Sequence, residues 1–120
     1  MPALELKTNV KLEDAKPFIQ EFSKFSAELL GKPLAYIATS YTYNEHLAWE
    51  GTFEPAFLLS VASLDNITPE TTEVYSKKLF EFLKEKLALP GNRGYIVFTD
   101  PGRSNIGYQS TTFESIFGKK

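Results

Sequence analysis

Phe57-Leu58-Leu59-Ser60-Val61-Ala62 is an almost unbroken apolar run with the length of one β-strand. Such a run is typical of a strand in the middle of a sheet, where both faces are covered. The pair Pro55-Ala56 comes directly before it. We therefore interpret residues 57–62 as a central strand that opens the second half of the chain.

A helix and another strand follow this central strand. Thr68-Pro69-Glu70 supplies a cap, a first-position proline and a first-turn acid, and Pro90-Gly91 ends the segment. Residues 95–99 are β-branched or aromatic, which predicts a strand. The inward stripe of the helix is predicted to be Val74, Leu79, Phe80, Leu83 and Leu87.

The first half shows the same order of elements. Residues 3–10 alternate between apolar and polar side chains, which predicts a half-buried strand. The next helix is expected to be capped by Asp14 and to end at Gly31. Residues 36–43 predict a second strand and 47–49 a short one. The residues expected on the inward face of this helix are Ala15, Phe18, Ile19, Phe22, Phe25, Leu29 and Leu30.

The two halves align as a repeat, with Pro2 matching Pro55 and Tyr36 matching Tyr95. Two βαβ units predict an α+β fold, with one four-stranded mixed sheet and both helices on one face. With 120 residues the chain has the size of a single domain. Its pseudo-repeats span about 2–50 and 55–113, and 114–120 form a C-terminal extension.

The uncovered sheet face is expected to be partly apolar, because adjacent residues of the 57–62 run are hydrophobic. A second copy of the chain is the simplest cover for such a face. The tail, from Ile106-Gly107-Tyr108 to Phe113 and with Ile116 and Phe117, has more apolar character than a free terminus, which suggests that it docks on a neighbouring subunit. We therefore expect a closed homo-oligomer.

Composition excludes several classes of function. A net charge of −2, with 13 scattered basic residues, offers no footprint for nucleic acid or for an anionic membrane. Without cysteine there is no thiolate chemistry, and the single His46 cannot build a histidine cluster. We expect no metal and no cofactor. No apolar run approaches a membrane span or a signal peptide, so the expected location is the cytoplasm.

Pro2 is the residue with the clearest chemical potential. Methionine aminopeptidases act when the second residue is small, so Met1 should be removed and the mature chain should start with a secondary amine. The pKa of an ordinary α-amino group lies near ~7.7 to 8.0, and burial beside a cation lowers it. A general base at neutral pH needs such a value. By itself, Pro2 could equally well only start a strand.

Short motifs along nearly the whole chain carry a family resemblance. The chain resembles the tautomerase superfamily, in the branch of macrophage migration inhibitory factor and D-dopachrome tautomerase. The resemblance implies a homotrimer whose three sheets surround a channel, with an active site at each subunit boundary. The matching motifs are Pro2, Thr8-Asn9-Val10, Gly31-Lys32-Pro33, Tyr36-Ile37-Ala38, Glu54-Pro55, Tyr75-Ser76-Lys77, Asn92-Arg93, Tyr95-Ile96, Asp100, Asn105-Ile106-Gly107-Tyr108 and Ser110-Thr111-Thr112-Phe113.

The resemblance also implies roles for individual residues. Pro2 would move a proton between the keto and enol forms of an arylpyruvate, and Lys32 would bind the substrate and depress the pKa of the proline. Ser63 and Leu64 hold the position where a backbone N–H contacts the substrate carboxylate. Tyr95 would come from the adjacent subunit. The apolar and aromatic rim would consist of Tyr36, Ile106, Tyr108 and Phe113.

This chain departs from the family pattern at several positions. Val97 stands where the cytokine has asparagine and Tyr108 where it has tryptophan, so substrate range or rate is expected to differ. The missing Cys-x-x-Cys excludes thiol oxidoreductase activity. The tail after Phe113 either covers the pocket rim or reinforces the trimer.

The expected function is keto-enol tautomerisation of phenylpyruvate-type 2-oxo acids, with dopachrome-like compounds as further substrates. The alternative is a cytokine-like or intracellular protein-binding role with weak or vestigial activity, which would allow secretion by a route without a signal peptide. Hydration or dehalogenation is a third alternative. Relatives with those activities use arginine and acidic groups in the pocket, and we assign Arg93 no catalytic role.

Overall fold

Four strands form one mixed sheet in the order β2-β1-β3-β4. The structure is a computed structural model that describes residues 1–119. Its strands are β1 (Ala3–Thr8), β2 (Ala38–Tyr43), β3 (Phe57–Ala62) and β4 (Gly94–Thr99). β1 runs parallel to β2 and antiparallel to β3, and β3 runs parallel to β4. The two βαβ units predicted from the sequence are confirmed, and 57–62 is one of the two central strands.

Helices α1 (Lys16–Leu30) and α2 (Pro69–Leu87) cover one face of this sheet. β3 alternates strictly, with Phe57, Leu59 and Val61 buried under the helices. Within residues 1–119 no helix is long and apolar enough to cross a membrane. The core joins these strand residues to helix residues, mainly Leu4, Leu6, Phe18, Phe22, Leu30, Leu79, Phe82 and Leu83.

The ends of α1 differ slightly from the expectation. The N-cap is Ala15, whose side chain cannot accept a hydrogen bond. Asp14 still contributes, because its Oδ1 accepts the N–H of Lys16 at 3.1 Å. Gly31 ends the helix in the left-handed conformation, with φ 65°. Glycine suits this position because it has no Cβ to clash.

The ends of α2 follow the sequence closely. Thr68 is the N-cap, and its side chain accepts the N–H of Thr71 in a capping box. The helix ends at Ala88, which is left-handed at φ 55°, before Pro90 is reached.

The inward face of α2 was predicted wrongly at one position. Val74 is 52% exposed, whereas the adjacent Tyr75 is buried. Phe82 is also buried and stacks on Phe25 of α1, with ring centroids 4.4 Å apart. The larger aromatic surfaces lie toward the core, because they bury more area than a valine does.

Three predicted strand boundaries in the first half need correction, and the first is that β1 ends at Thr8 instead of at Val10. Leu34–Tyr36 forms a single 3-10 turn, so β2 starts at Ala38 instead of at Tyr36. Residues 47–49 do not form a strand, and only Trp49 makes an isolated bridge, to Thr52. The 3-10 turn moves Tyr36 off the sheet and toward the start of β1.

The uncovered face of the sheet is less apolar than expected. Leu58, Tyr95 and Val97 are exposed there, at 44%, 63% and 58%. Glu5 and Lys7 of β1 share the face and are also exposed. Its large apolar side chains therefore lie on β3 and β4, and β3 contributes only Leu58, because the next residue on this face is the polar Ser60.

The C-terminal residues fold back onto their own subunit. β5 (Gly107–Tyr108) and β6 (Thr111–Thr112) form a small hairpin that leads into the short helix α3 (Phe113–Phe117). Phe113 is only 2% exposed. The tail was expected to dock on a neighbouring subunit, but Phe113 is buried within its own subunit.

Candidate active site

Pro2 lies at the start of β1 and is fully buried. Its carbonyl accepts the N–H of Ala38 at 3.0 Å, which fixes it to the adjacent strand. Met1 precedes it in the described chain, so its nitrogen is part of an amide. The free amine at this end of the sheet is that of Met1, which stands in for the amine that Pro2 would carry after processing.

Two adjoining cavities surround this end of the chain. One has a volume of about 270 Å³ and the other about 310 Å³. They share Met1, Tyr36 and Phe113. The first is also lined by Lys32, Pro33, Leu64, Asp65 and Phe117, and the second by Pro2, Ala3, Ala35, Ile37, Ala38, Ile106, Gly107 and Tyr108. Within one subunit, Pro2 and Lys32 therefore line two adjoining cavities that share Tyr36 and Phe113 of the predicted aromatic rim.

Lys32 follows the glycine that ends α1, so its side chain leaves the helix at the cavity. Its Nζ donates to the carbonyl of Leu64 at 2.9 Å. The pKa of the Met1 amine is lowered by burial and, second, by the positive charge of Lys32. Both effects disfavour the protonated amine. The site thus favours a neutral amine beside a fixed cation.

The two backbone positions after β3 differ in their availability to a ligand. Ala62 pairs with Ala3, so Ser63 and Leu64 follow at the Pro2 end of the ladder. The N–H of Ser63 donates to the carbonyl of Thr99 at 3.0 Å and is not available to a ligand. The N–H of Leu64 has no acceptor within residues 1–119. Of these two amides, only that of Leu64 is therefore available to a ligand in this subunit.

Ser63 is also unusual in its side chain. It is completely buried, and its Oγ has no hydrogen-bond partner among the described residues. A buried hydroxyl is normally paired.

Aromatic rings form one wall of the cavities. Tyr108 and Phe113 stack with centroids 5.4 Å apart and an interplanar angle of 5°. Tyr36 meets both rings edge-on, at 5.6 and 6.2 Å. Ile106 is half-buried beside them. These are favourable geometries for aromatic groups, and they leave a flat apolar surface for a ligand ring.

Tyr95 and Val97 lie elsewhere in the subunit. Thr99 is the β4 residue level with Ala62, and Tyr95 is four residues earlier. At about 3.3 Å per residue, Tyr95 is roughly 13 Å along the strand from the Pro2 end. Its ring instead contacts Trp49, at 4.4 Å. One chain alone does not bring these two residues to the cavity.

The sequence analysis missed Asp65 and Arg103 and did not assign Phe117 to the pocket. Asp65 and Phe117 line the smaller cavity, and Arg103 Nη2 binds Asp65 at 2.8 Å. The four-residue spacing from Phe113 to Phe117 was the available signal. Arg93 has a structural role, donating to the carbonyls of Pro55 and Glu54.

A wider groove of about 450 Å³ lies between α1 and α2, distant from Pro2. Charged side chains such as Glu21, Lys24, Lys78 and Glu81 line it, above Phe25 and Phe82. Neither Met1 nor Pro2 lines this groove, so it is not part of the candidate site.

Comparisons with known proteins agree with this architecture. The family model described as "Macrophage migration inhibitory factor (MIF)" matches residues 1–114. The macrophage migration inhibitory factor homolog of Trichuris trichiura is 37% identical over 114 residues, covering 94% of this chain and 100% of that protein.

Solved structures show the same likeness. The structure of the macrophage migration inhibitory factor from Trichinella spiralis matches with a TM-score of 0.87 and 32% identity, and the match covers 92% of this chain and 98% of that one. The homologue from Prochlorococcus marinus has a TM-score of 0.86 and 29% identity, with the same coverage. The chain therefore belongs to the macrophage migration inhibitory factor family.

Proposed function

We propose that the protein is a keto-enol tautomerase of phenylpyruvate-type 2-oxo acids, with the Pro2 amine as acid and base once Met1 is removed. Dopachrome-like compounds are further candidate substrates. The observation that carries the proposal is the setting of the chain's terminal amine. It shares a cavity with Lys32 and an aromatic wall, and burial and Lys32 lower its pKa.

The reaction needs one proton to move between carbon and oxygen. In the keto form, the neutral Pro2 nitrogen removes a proton from the carbon next to the carbonyl. Negative charge then develops on the carbonyl oxygen, where the Lys32 ammonium stabilises it. The protonated amine returns the proton to that oxygen and gives the enol. No redox partner or cofactor takes part.

The amine is suited to both halves of this cycle. A general acid–base group works best when its pKa lies near the working pH. The Pro2 nitrogen is bonded directly to Met1, so removal of Met1 would place the secondary amine within the same pair of cavities. The two causes that lower the pKa of the Met1 amine would therefore act on Pro2 as well.

Substrate orientation follows from the polar groups around the amine. Lys32 Nζ donates to the carbonyl of Leu64, and the free N–H belongs to the same residue, Leu64. A substrate carboxylate would accept this N–H and pair with Lys32. The aryl ring would then pack on the exposed part of the aromatic wall.

We further propose that the protein forms a homotrimer in which a neighbour supplies Tyr95 and Val97. Both side chains are exposed, at 63% and 58%, and neither lines the cavities of its own subunit. An exposed apolar cluster of this kind is expected to be covered by a partner. A neighbouring sheet would complete each site.

The direct test is ketonisation of enol phenylpyruvate, followed by ultraviolet absorbance. We expect catalysis above the uncatalysed rate with protein whose loss of Met1 is verified by intact mass. Absence of catalysis in a correctly processed protein would refute the proposed reaction.

Lys32→Ala should shift the pH dependence of this activity. In the wild type, kcat/KM in the keto-to-enol direction is expected to rise with pH as the amine loses its proton. This rise should occur at a lower pH than for an ordinary α-amine. Removing the Lys32 charge raises the pKa of the amine, so the rise should move to higher pH and kcat/KM at neutral pH should fall. Burial of the amine remains, so its pKa should not return fully to that of an ordinary α-amine.

A pH–rate profile of the enolisation of phenylpyruvate, which is the keto-to-enol direction, measures this shift. Lys78→Ala is the matched control, because Lys78 is an exposed lysine on the outer helical surface. An unchanged limb in Lys32→Ala would show that its charge does not act on the amine.

The trimer gives a separate prediction. Light scattering during size-exclusion chromatography should give a mass three times that of the 13.5 kDa chain. Tyr95→Ala should lower activity if a neighbour completes the site, whereas Phe53→Ala, at an equally exposed aromatic residue outside it, should not. A monomer with full activity would rule out a shared site.

A further inference from the structure

The C-terminal helix α3 reaches beyond the part of the chain that matches the family. That match ends at residue 114, and Phe117 lies three residues past it. Phe117 nevertheless lines the same cavity as Lys32 and Leu64. A residue outside the shared family region thus forms part of the candidate site.

Phe117 extends the aromatic wall by one ring. It stacks on Phe113 with centroids 5.3 Å apart and an interplanar angle of 9°. Phe113 in turn stacks on Tyr108, almost parallel. Phe117 is 54% exposed, so it retains apolar surface that a ligand could cover.

Arg103 holds α3 in this position. Its Nη1 donates to the carbonyls of Phe117 and Gly118, at 3.0 and 2.9 Å. Its Nε and Nη2 donate to Oδ2 of Asp65, at 3.0 and 2.8 Å. The guanidinium also lies 5.8 Å from the centre of the Phe117 ring. One side chain therefore ties the end of α3 to the opposite wall of the cavity.

We propose that α3 determines substrate specificity, with Phe117 providing an aromatic surface for the ring of an aryl-substituted carboxylate whose acid group is bound at Lys32. This rests on the proposed function and names the part of its substrate that the tail selects. An aromatic acid gains the Phe117 contact, whereas a short aliphatic acid does not extend to it. Arg103 acts as a positioning residue.

The proposal can be tested by binding, without turnover. Trans-cinnamate and butanoate serve as the aromatic and aliphatic probes, with titration calorimetry of the processed protein as the readout. Phe117→Ala should weaken cinnamate binding by roughly threefold to tenfold, the size of one aromatic contact. Butanoate binding should not change.

Two further variants make the result specific. Ile116→Ala is the matched control, because Ile116 is on the same helix, 41% exposed and not part of the cavity lining. It should bind cinnamate like the wild type. Arg103→Met keeps Phe117 but releases α3, and should also weaken cinnamate binding more than butanoate binding.

Several outcomes would overturn the proposal. One is that Phe117→Ala binds cinnamate with wild-type affinity, and another is that Ile116→Ala loses as much cinnamate affinity as Phe117→Ala does. The others are that Phe117→Ala loses equal affinity for cinnamate and butanoate, or that the wild type does not bind cinnamate. A changed oligomer mass with unchanged affinity would assign Phe117 to the subunit interface instead. If Phe117→Ala selectively weakens cinnamate binding but the wild type does not catalyse ketonisation, the proposed reaction is refuted and the role of α3 is supported. If the wild type catalyses ketonisation but Phe117→Ala does not alter cinnamate binding, the reaction is supported and the role of α3 is refuted.

Discussion

Pro2→Gly is expected to lower kcat/KM for enol phenylpyruvate by about 10²-fold or more, the range for loss of a positioned general acid or base. The proline ring is fully buried and fixes the direction of its nitrogen. Glycine would still leave an amine, but a primary one on a flexible residue that can turn away and become hydrated. The measurement is the ketonisation assay with processing verified by intact mass.

Two controls separate the amine from the fold. Pro55→Gly replaces the equivalent proline of the second half, which precedes β3 and lies far from the cavity. It should leave the rate unchanged. Wild-type chain produced with methionine aminopeptidase inhibited retains Met1, so its Pro2 nitrogen is an amide and activity should fall at least as far. Wild-type rates in Pro2→Gly would exclude the nitrogen from the chemistry.

Gly94→Ala is expected to destabilise the fold by about 3 kcal/mol, the upper end of typical overpacking costs. A Cβ at Gly94 would come within 2.2 Å of the Phe57 ring. Phe57 is completely buried, and its ring also packs edge-on against Phe80, 5.5 Å away. It can yield only by disturbing the core between β3 and α2. Urea unfolding followed by circular dichroism measures the loss.

Gly91→Ala is the matched control for this substitution. Gly91 lies three residues earlier, its φ is not positive, and the nearest atom to an added Cβ is Phe80 Cδ1 at 3.9 Å. Its free energy of unfolding should stay equal or rise slightly, because alanine restricts the unfolded chain. Equal stability of the two variants would show that the core between β3 and β4 can rearrange.

Much of the fold was predictable because periodicity is a local signal. The apolar run at 57–62 gave β3 with its observed bounds, and Thr68 gave the start of α2. The errors arose where neighbours in space decide the outcome. Val74 and Tyr75 fit a helical stripe almost equally well, and only the packing of α2 on α1 places the tyrosine inside.

The candidate site was accessible from the sequence to a smaller degree. Pro2, Lys32 and the rim residues were selected, and the structure places them around two adjoining cavities, whereas Tyr95 and Val97 lie elsewhere. Their catalytic and binding roles stay predictions. The sequence could not distinguish Ser63 from Leu64, because which N–H is free depends on the carbonyl of Thr99 in another strand.

The sequence by itself determined the two βαβ units, the family and the residue types of the site. These depend on neighbours within one element, or on motifs in a fixed order. Only the tertiary structure decided that α3 closes one side of the cavity and that Arg103 holds it there. Arg103 and Asp65 are 38 residues apart in the chain. Such a contact depends on the path of the whole chain, because no local pattern records which distant side chain will be adjacent.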